Sequence, residues 1–483
     1  MHLFNTLTRS IEPFKPLSEG VVRMYSCGPT VYDVAHLGNM RAFVFVDLLQ
    51  RALRTVGGYK VRWVMNITDV DDKTIRDSAV GSARWRAPMG DQTDDLRANL
   101  RAYTTFFEDE FKRDLQALGF RMDHFEAMPR ATDYIDEMQL LIREIVRAGF
   151  GYASEGSVYF NVGAYAQSHS YGRLFTIDAA NFREGVRIDA DEYDRESVSD
   201  FVLWKGRKDN EPYWDFEIDG EQLPGRPGWH IECSAMSKEL LGLPFDIHTG
   251  GVDLRFPHHE DELAQCCAGY QVSDQARFWM HNEFLEVEGK KMSKSLGNFY
   301  TLRDLEAMGH NPLDVRFALM LGSYRAVLNF TFESLRAAAT ARGRTQNLIW
   351  DLMETSGITD ASDLAGSMPE DVAAAFADDL NVPQALARTY EYCARNADAR
   401  TDAAKAHEVL GALQRINDVL AVWTFTTRPT IDVPANVREL ADQRWAARTA
   451  KDWSEADRLR NELTALGWSM KDGKDSYTLE RIS

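Results

Sequence analysis

Residues 24–41, MYSCGPTVYDVAHLGNMR, constrain this chain more than any other stretch. The branched and aromatic run at 21–25 ahead of it reads as a short strand. Behind it, residues 40–53 carry apolar side chains at mixed three- and four-residue spacing, which predicts a helix. Between them stand a Gly28-Pro29 bend and then His36-Leu37-Gly38-Asn39 at the mouth of the helix. A helix N-terminus presents unpaired N–H groups and the positive end of the dipole, so it suits a phosphate. Gly38 lets a ligand approach the backbone, and Cys27 falls at the strand end, where open α/β sheets bind their ligands. An ordinary βα turn with a buried cysteine and a capping asparagine fits the same letters.

A second stretch narrows the choice. Residues 289–298, GKKMSKSLGN, form a cationic loop in which Lys291 and Lys294, three apart, suit a polyphosphate as point charges. A KxxK run alone is an ordinary solvated surface. Paired with the upstream His-Leu-Gly-Asn turn, however, KMSKS resembles the double signature of class I aminoacyl-tRNA synthetases. Within that class the chain is similar to the cysteinyl-tRNA synthetase family, through CGPTVYDVAHLGN, NITDVDDK, DFVLWK, GRPGWHIECSAMS, HTGGVDLRFPHHEDE, KKMSKSLGN and KDWSEADRLRNEL, in that order. Asn39 departs from the pattern, standing where the class signature has its second histidine.

His258 and Glu262 are four apart and share a helix face, so with Cys27 and Cys233 they make a candidate zinc set of thiolates, imidazole and carboxylate. Spacing alone leaves His259 with Glu262 equally open, and Cys266 lies four beyond Glu262. Eight residues of helix rise roughly 12 Å, which excludes His258 and Cys266 from one ion. The choice of His258 over His259 is what the resemblance implies. A buried Cys233 beside a hydrogen-bonded histidine pair is the metal-free alternative.

The resemblance implies a Rossmann-like α/β catalytic domain with an inserted connective region, followed by an α-helical tRNA-binding region. It implies ATP, with Mg²⁺, as a substrate, contacted by His36, Gly38, Asn39, Gly250, Gly251, Asp253 and Lys294. Catalysis falls to His36, Asn39, Lys291 and Lys294, the substrate cysteine to Thr68 and Trp229, and one Zn²⁺ to Cys27, Cys233, His258 and Glu262. Blander roles exist for several of these, a helix cap for Thr68 and a core ring for Trp229. The acidic group Asp69, Asp71 and Asp72 reads as a solvated helix start, where acids are stabilised by the dipole.

The expected layout is residues 1–120 as the first half of the catalytic domain and 121–200 as the insertion. The second half with the zinc site follows at 201–275, and the lysine loop with a stem-contact region at 276–335. A helical bundle at 336–430 and an anticodon-binding segment at 431–483 complete it. Residues 157–162 read as an edge strand, 176–200 as irregular, and the prolines at 427–434 as a linker. Trp453, Ala456, Leu459, Leu463 and Leu466 mark one helix face, ended by Gly467. Trp445, Trp453 and Trp468 are candidate base stackers.

A net charge of −19 is awkward for an anionic RNA partner, so binding needs local basic faces. Residues 351–380 hold eight Asp/Glu and no Lys/Arg, whereas 431–483 hold nine Lys/Arg against ten Asp/Glu, nearly neutral. Five scattered cysteines make no disulfide framework, no apolar run spans a membrane, and no targeting segment is visible, which together place the chain in the cytoplasm. A monomer is expected. The function implied is activation of L-cysteine by ATP and transfer to the 3′ end of tRNA-Cys. The alternatives are a paralogue joining cysteine to an amino sugar in mycothiol synthesis, and a non-catalytic synthetase-like RNA-binding protein.

Overall fold

The computed structural model describes residues 1–175, 182–188, 198–293, 296–429, 433–473 and 476–481. Its centre is a parallel sheet of β1 (Val21–Ser26), β2 (Lys60–Met65), β3 (Phe125–Ala127), β4 (Phe245–Gly251) and β5 (Ala276–Asn282), in the order β5-β4-β1-β2-β3. Alternate side chains of β1 enter different cores. Val22 and Met24 pack with α1 (Leu37–Thr55), while Tyr25 packs with α2 (Trp229–Leu241) and α3 (His258–Tyr270). Strand order reverses between β1 and β4. The crevice beyond their carboxyl ends, a topological switch point, is where such sheets bind ligands.

The helix expected at 40–53 begins earlier, because His36 caps it. The imidazole Nδ1 accepts from Asn39 N at 3.3 Å, and Asn39 Oδ1 accepts in return from His36 N at 3.2 Å. Met40, Phe43, Val44, Leu48, Leu49, Ala52 and Leu53 of α1 are buried. Deep in its middle, Asp47 pairs with Arg316 at 2.7 Å and with Arg51 at 2.8 Å, and Arg316 also donates to the carbonyl of Leu420. That buried cluster ties α1 to the bundle helix Ala403–Leu420.

A mixed sheet inserted between β3 and β4 comprises Gly225–Pro227, Val198–Gly206, Ser157–Phe160 and Gly151–Ser154 in that order, all antiparallel, with Phe182–Ile188 added parallel to Val198–Gly206. Ser157–Phe160 is therefore interior, not the edge strand expected. One neighbour, Gly151–Ser154, is its hairpin partner, but the other, Val198–Gly206, comes from some forty residues on and leaves no local signal. The expected boundaries shift accordingly. The insertion's sheet reaches 227, beyond the limit set at 200, and β5 carries the central sheet beyond 275. Most of 176–200 lies outside the described residues, although 182–188 and 198–200 are strand.

After β5 the chain makes a small sheet in which Leu285–Val287 pairs with Lys290–Lys291 and with Leu328–Phe330. Helices Phe332–Ser356, Glu370–Ala377, Val382–Arg395 and Ala403–Leu420 follow. Residues 435–473 and 476–481 form a unit with its own core of Val437, Ala441, Leu463 and Trp468. Ala435–Thr449 and Trp453–Ala465 supply its helices, and Trp468–Asp472 pairs with Tyr477–Arg481 in a hairpin that the sequence reading missed. Trp468 is thus core, not a base stacker, while Trp453 is 60% exposed and does not share the buried face of Ala456, Leu459 and Leu463. No helix among the described residues is long and apolar enough to cross a membrane.

Candidate active site and metal centre

Three elements converge at the switch point. Cys27 follows β1, Cys233 lies on α2, and His258 and Glu262 lie one turn apart at the start of α3. Their ligand atoms all lie within 4.8 Å of one another. Cys27 Sγ is 3.6 Å from Glu262 Oε1, and His258 Nε2 is 3.1 Å from the same oxygen. A second set, Cys27, His248, His259 and Glu262, is equally compact.

Hydrogen bonding separates the two sets. His259 is engaged at both nitrogens, Nε2 against Cys27 Sγ at 3.2 Å and Nδ1 against His281 Nε2 at 2.8 Å, and His281 continues to Thr6 Oγ1. His248 Nε2 meets Glu262 Oε2 at 2.9 Å, an oxygen that also accepts from Gln275. His258 differs. Its Nδ1 meets His230 Nδ1 at 2.9 Å, while its buried Nε2 makes no hydrogen bond and faces Glu262 Oε1. One imidazole nitrogen held by a neighbour and the other aimed at a thiol–carboxylate cluster is how a metal-binding histidine is oriented. The donors fit zinc.

Electrostatics agree. Burial pushes the Cys27 thiol well up and Cys233 to about 11, and lowers His258 to about 3. Burial works against the Glu262 carboxylate too, but His248, whose Nε2 meets it, and the Gln275 amide hold it below its usual value. A buried anion beside two thiols and a neutral imidazole is a site that a divalent cation completes, since the cation favours thiolate over thiol.

The substrate-pocket residues lie against this cluster. Trp229 stacks on the His258 ring at 4.1 Å and 20°, half-buried rather than core. Thr68 is buried and caps no helix. Its hydroxyl donates to Glu232 Oε2 at 2.9 Å and accepts from Asn66. Glu232, fully buried, went unread in the sequence, and its only signal there is its place between Trp229 and Cys233. Asn66 also accepts from Gly28 N. A Cβ on Gly28 would collide with the Asn66 carbonyl, so the bend at 28–29 needs glycine. Asp69 departs from the solvated helix start expected. It is buried and accepts from Thr132 N and Oγ1, and Asp71, not Asp69, caps the following helix.

On the phosphate side, the His36 cap places its ring proton on Nε2, and Asn39, with Oδ1 occupied, keeps an amide N–H₂ as donor. An asparagine at this position therefore still offers a donor. The lysine loop lies on this turn, with Phe299 edge-on to His36 at 5.0 Å and a Cβ on Gly38 falling 2.8 Å from Met292 Cε. Lys291 is exposed, and Asn298 donates to the carbonyls of Lys290 and Lys291 while accepting from Ser293 N. Lys294 lies outside the described residues. At the β4 end, a Cβ on Gly250 would strike His259, one on Gly251 would strike Asp253, and Asp253 is exposed. The glycines thus have an internal reason as well.

Comparisons with known proteins agree with this layout. The family model "tRNA synthetases class I (C) catalytic domain" matches residues 13–340, and "Cysteinyl-tRNA ligase anticodon binding domain" matches residues 430–478. A cysteine–tRNA ligase of Opitutus terrae is 44% identical over 494 residues, covering 99% of both chains. One from Koribacter versatilis is 38% identical over 519 residues, covering 100% of this chain and 99% of its own. Among solved structures, Mycobacterium tuberculosis methionyl-tRNA synthetase with methionyl-adenylate superposes with a TM-score of 0.51 at 15% identity. It covers 91% of this chain and 88% of its own, a likeness of fold alone.

Proposed function

The chain belongs to the cysteinyl-tRNA synthetase family of class I, and from that premise we propose how its residues join cysteine to tRNA at the expense of ATP. The observation that carries the reading is the meeting of Cys27, Cys233, His258 and Glu262 beside Trp229 and Thr68. This chemically selective floor lies at the switch point whose helix N-terminus carries His36 and Asn39.

Activation is an in-line attack of the cysteine carboxylate on the α-phosphorus of ATP, with pyrophosphate leaving. It needs positioning and charge stabilisation, not a nucleophilic side chain. His36 Nε2–H and the Asn39 amide donate to the phosphate as its charge grows, above the N–H groups of α1. Lys291 and Lys294 neutralise the departing pyrophosphate together with Mg²⁺. The 2′- or 3′-hydroxyl of the terminal ribose then attacks the adenylate carbonyl, and AMP leaves. Gly250, Gly251 and Asp253 take the adenosine side.

Thr68 and Trp229 wall the amino-acid pocket. Cys27, Cys233, His258 and Glu262 would hold one zinc, which when bound favours a substrate thiolate over a hydroxyl. The expected partner is tRNA-Cys, the chain acting as a monomer in the cytoplasm. The C-terminal match supports a tRNA acceptor over an amino sugar. Incubation with ATP, Mg²⁺ and radiolabelled cysteine tests this. Label should enter acid-precipitable tRNA and not an amino-sugar conjugate, and the reverse result overturns the acceptor assignment.

A further inference from the structure

We propose that Arg41 is a positioning residue for the activation step, setting the angle at which the lysine loop docks on the His36 turn. The proposal rests on the function argued above. Arg41 lies in α1, two residues past Asn39, and is only 3% exposed. Its Nη1 donates to the carbonyls of Glu283, at 2.8 Å, and Phe284, and its Nη2 to those of Ser323, at 3.3 Å, and Ala326, at 2.5 Å. Glu283 and Phe284 lead straight into strand Leu285–Val287. Ser323 and Ala326 lie in the loop that leads into its neighbour, Leu328–Phe330. One guanidinium therefore grips both approaches to the small sheet that carries the lysine loop.

Neighbouring contacts make this a joint and not a lone bond. Glu283 N donates to the Tyr324 carbonyl at 2.8 Å, Leu328 N donates to that of Phe284, and Tyr324 stacks on Phe45 of α1 at 4.4 Å. At the other end of the loop, Met292 rests over Gly38. The loop is thus registered to α1 at its base and at Met292. Among the described residues, none of the Arg41 hydrogen bonds goes to a carboxylate. Burying a cation on carbonyls alone is costly, and here all four bonds are spent on the two segments that approach the small sheet. Burial lowers Arg41 to about 10, opposed by Glu283, which leaves it charged at neutral pH. A guanidinium spreads five donors over a rigid plane, whereas an ammonium offers three from one point and cannot span both segments.

The test compares full-length wild type with Arg41→Lys and Arg41→Ala. ATP–pyrophosphate exchange is followed alongside tryptic cleavage after the exposed Lys290 and Lys291. The expected result is a kcat at least about tenfold lower in both variants, with KM for cysteine within about twofold and zinc content unchanged. Faster cleavage of the loop should accompany it. Arg41→Lys carries the test if Arg41→Ala is too unstable to purify. Wild-type kcat and cleavage in Arg41→Lys overturn the proposal. So does an activity loss matched by a higher KM for cysteine or by lost zinc, with cleavage unchanged. Absence of cysteine-dependent exchange in wild type would refute the functional reading instead, and the cleavage comparison would still decide the role of Arg41.

Discussion

Cys27 and Cys233, 206 residues apart in sequence, bring their sulfurs to 3.8 Å. A disulfide needs about 2.05 Å, whereas two thiolates on one tetrahedral zinc, with bonds of about 2.3 Å, sit about 3.8 Å apart. The separation excludes a disulfide and fits two sulfurs able to share one ion.

Removal of the ion is the first prediction. Dialysis against a strong chelator should abolish cysteine activation, with zinc restoring it. Cys233→Ser and His258→Ala should each retain metal at least about tenfold less tightly. His259→Asn, which alters the hydrogen-bonded rival, should keep zinc by elemental analysis. Zinc lost from His259→Asn but kept by His258→Ala would transfer the ligand role to His259.

Lys294→Ala should cut the rate of adenylate formation by about 100-fold or more at saturating substrate, with the melting temperature unchanged. Lys291→Ala should do the same more weakly. Each cation acts where charge develops, so the loss belongs in kcat and not in KM. Single-turnover adenylate formation within about threefold of wild type in Lys294→Ala would remove that lysine from the mechanism.

Chain truncated after residue 430 should exchange pyrophosphate normally and charge tRNA poorly. The segment removed holds its own core of Val437, Ala441, Leu463 and Trp468, so the catalytic half keeps its packing. Within that segment Trp453→Ala, at an exposed indole, should weaken tRNA binding, because stacking on one base is worth roughly 1–3 kcal/mol. Equal charging by truncated and full-length protein would contradict the anticodon assignment.

The sequence was most informative where local pattern and function coincide. The β1 turn and α1 were legible because strand, bend and cap are adjacent in the chain. Glu232, His248 and His281 were not, because their partners Thr68, Glu262 and His259 lie 164, 14 and 22 residues away. Spacing on α3 likewise left His258 and His259 equal. What separates them is that one imidazole nitrogen of His258 is left without a hydrogen bond inside the fold. Arg41 was passed over for a similar reason, since its four carbonyl partners are main-chain groups and leave no trace in residue identity.

Acid stability offers a fourth prediction. Burial pushes the Asp114 carboxyl up to about 6, partly offset by Arg113. In the unfolded chain it titrates near about 3.9. Between these values the native state holds the extra proton, so this group makes the fold less stable as pH rises from about 4 to about 6. The effect is at most about 3 kcal/mol. Asp114→Asn should remove that component, seen as a changed difference in urea midpoint from wild type across the window. A constant difference at every pH would show that Asp114 titrates normally.

The central claim is that the floor built by Cys27, Cys233, His258 and Glu262 selects cysteine by its sulfur. ATP–pyrophosphate exchange on zinc-loaded protein, with cysteine and serine run side by side, tests it most directly. Pocket shape alone separates such near-isosteres by about 100-fold. The account predicts discrimination in kcat/KM well beyond that, with full exchange on cysteine. Serine within about 100-fold of cysteine, or no exchange on cysteine at all, would contradict it.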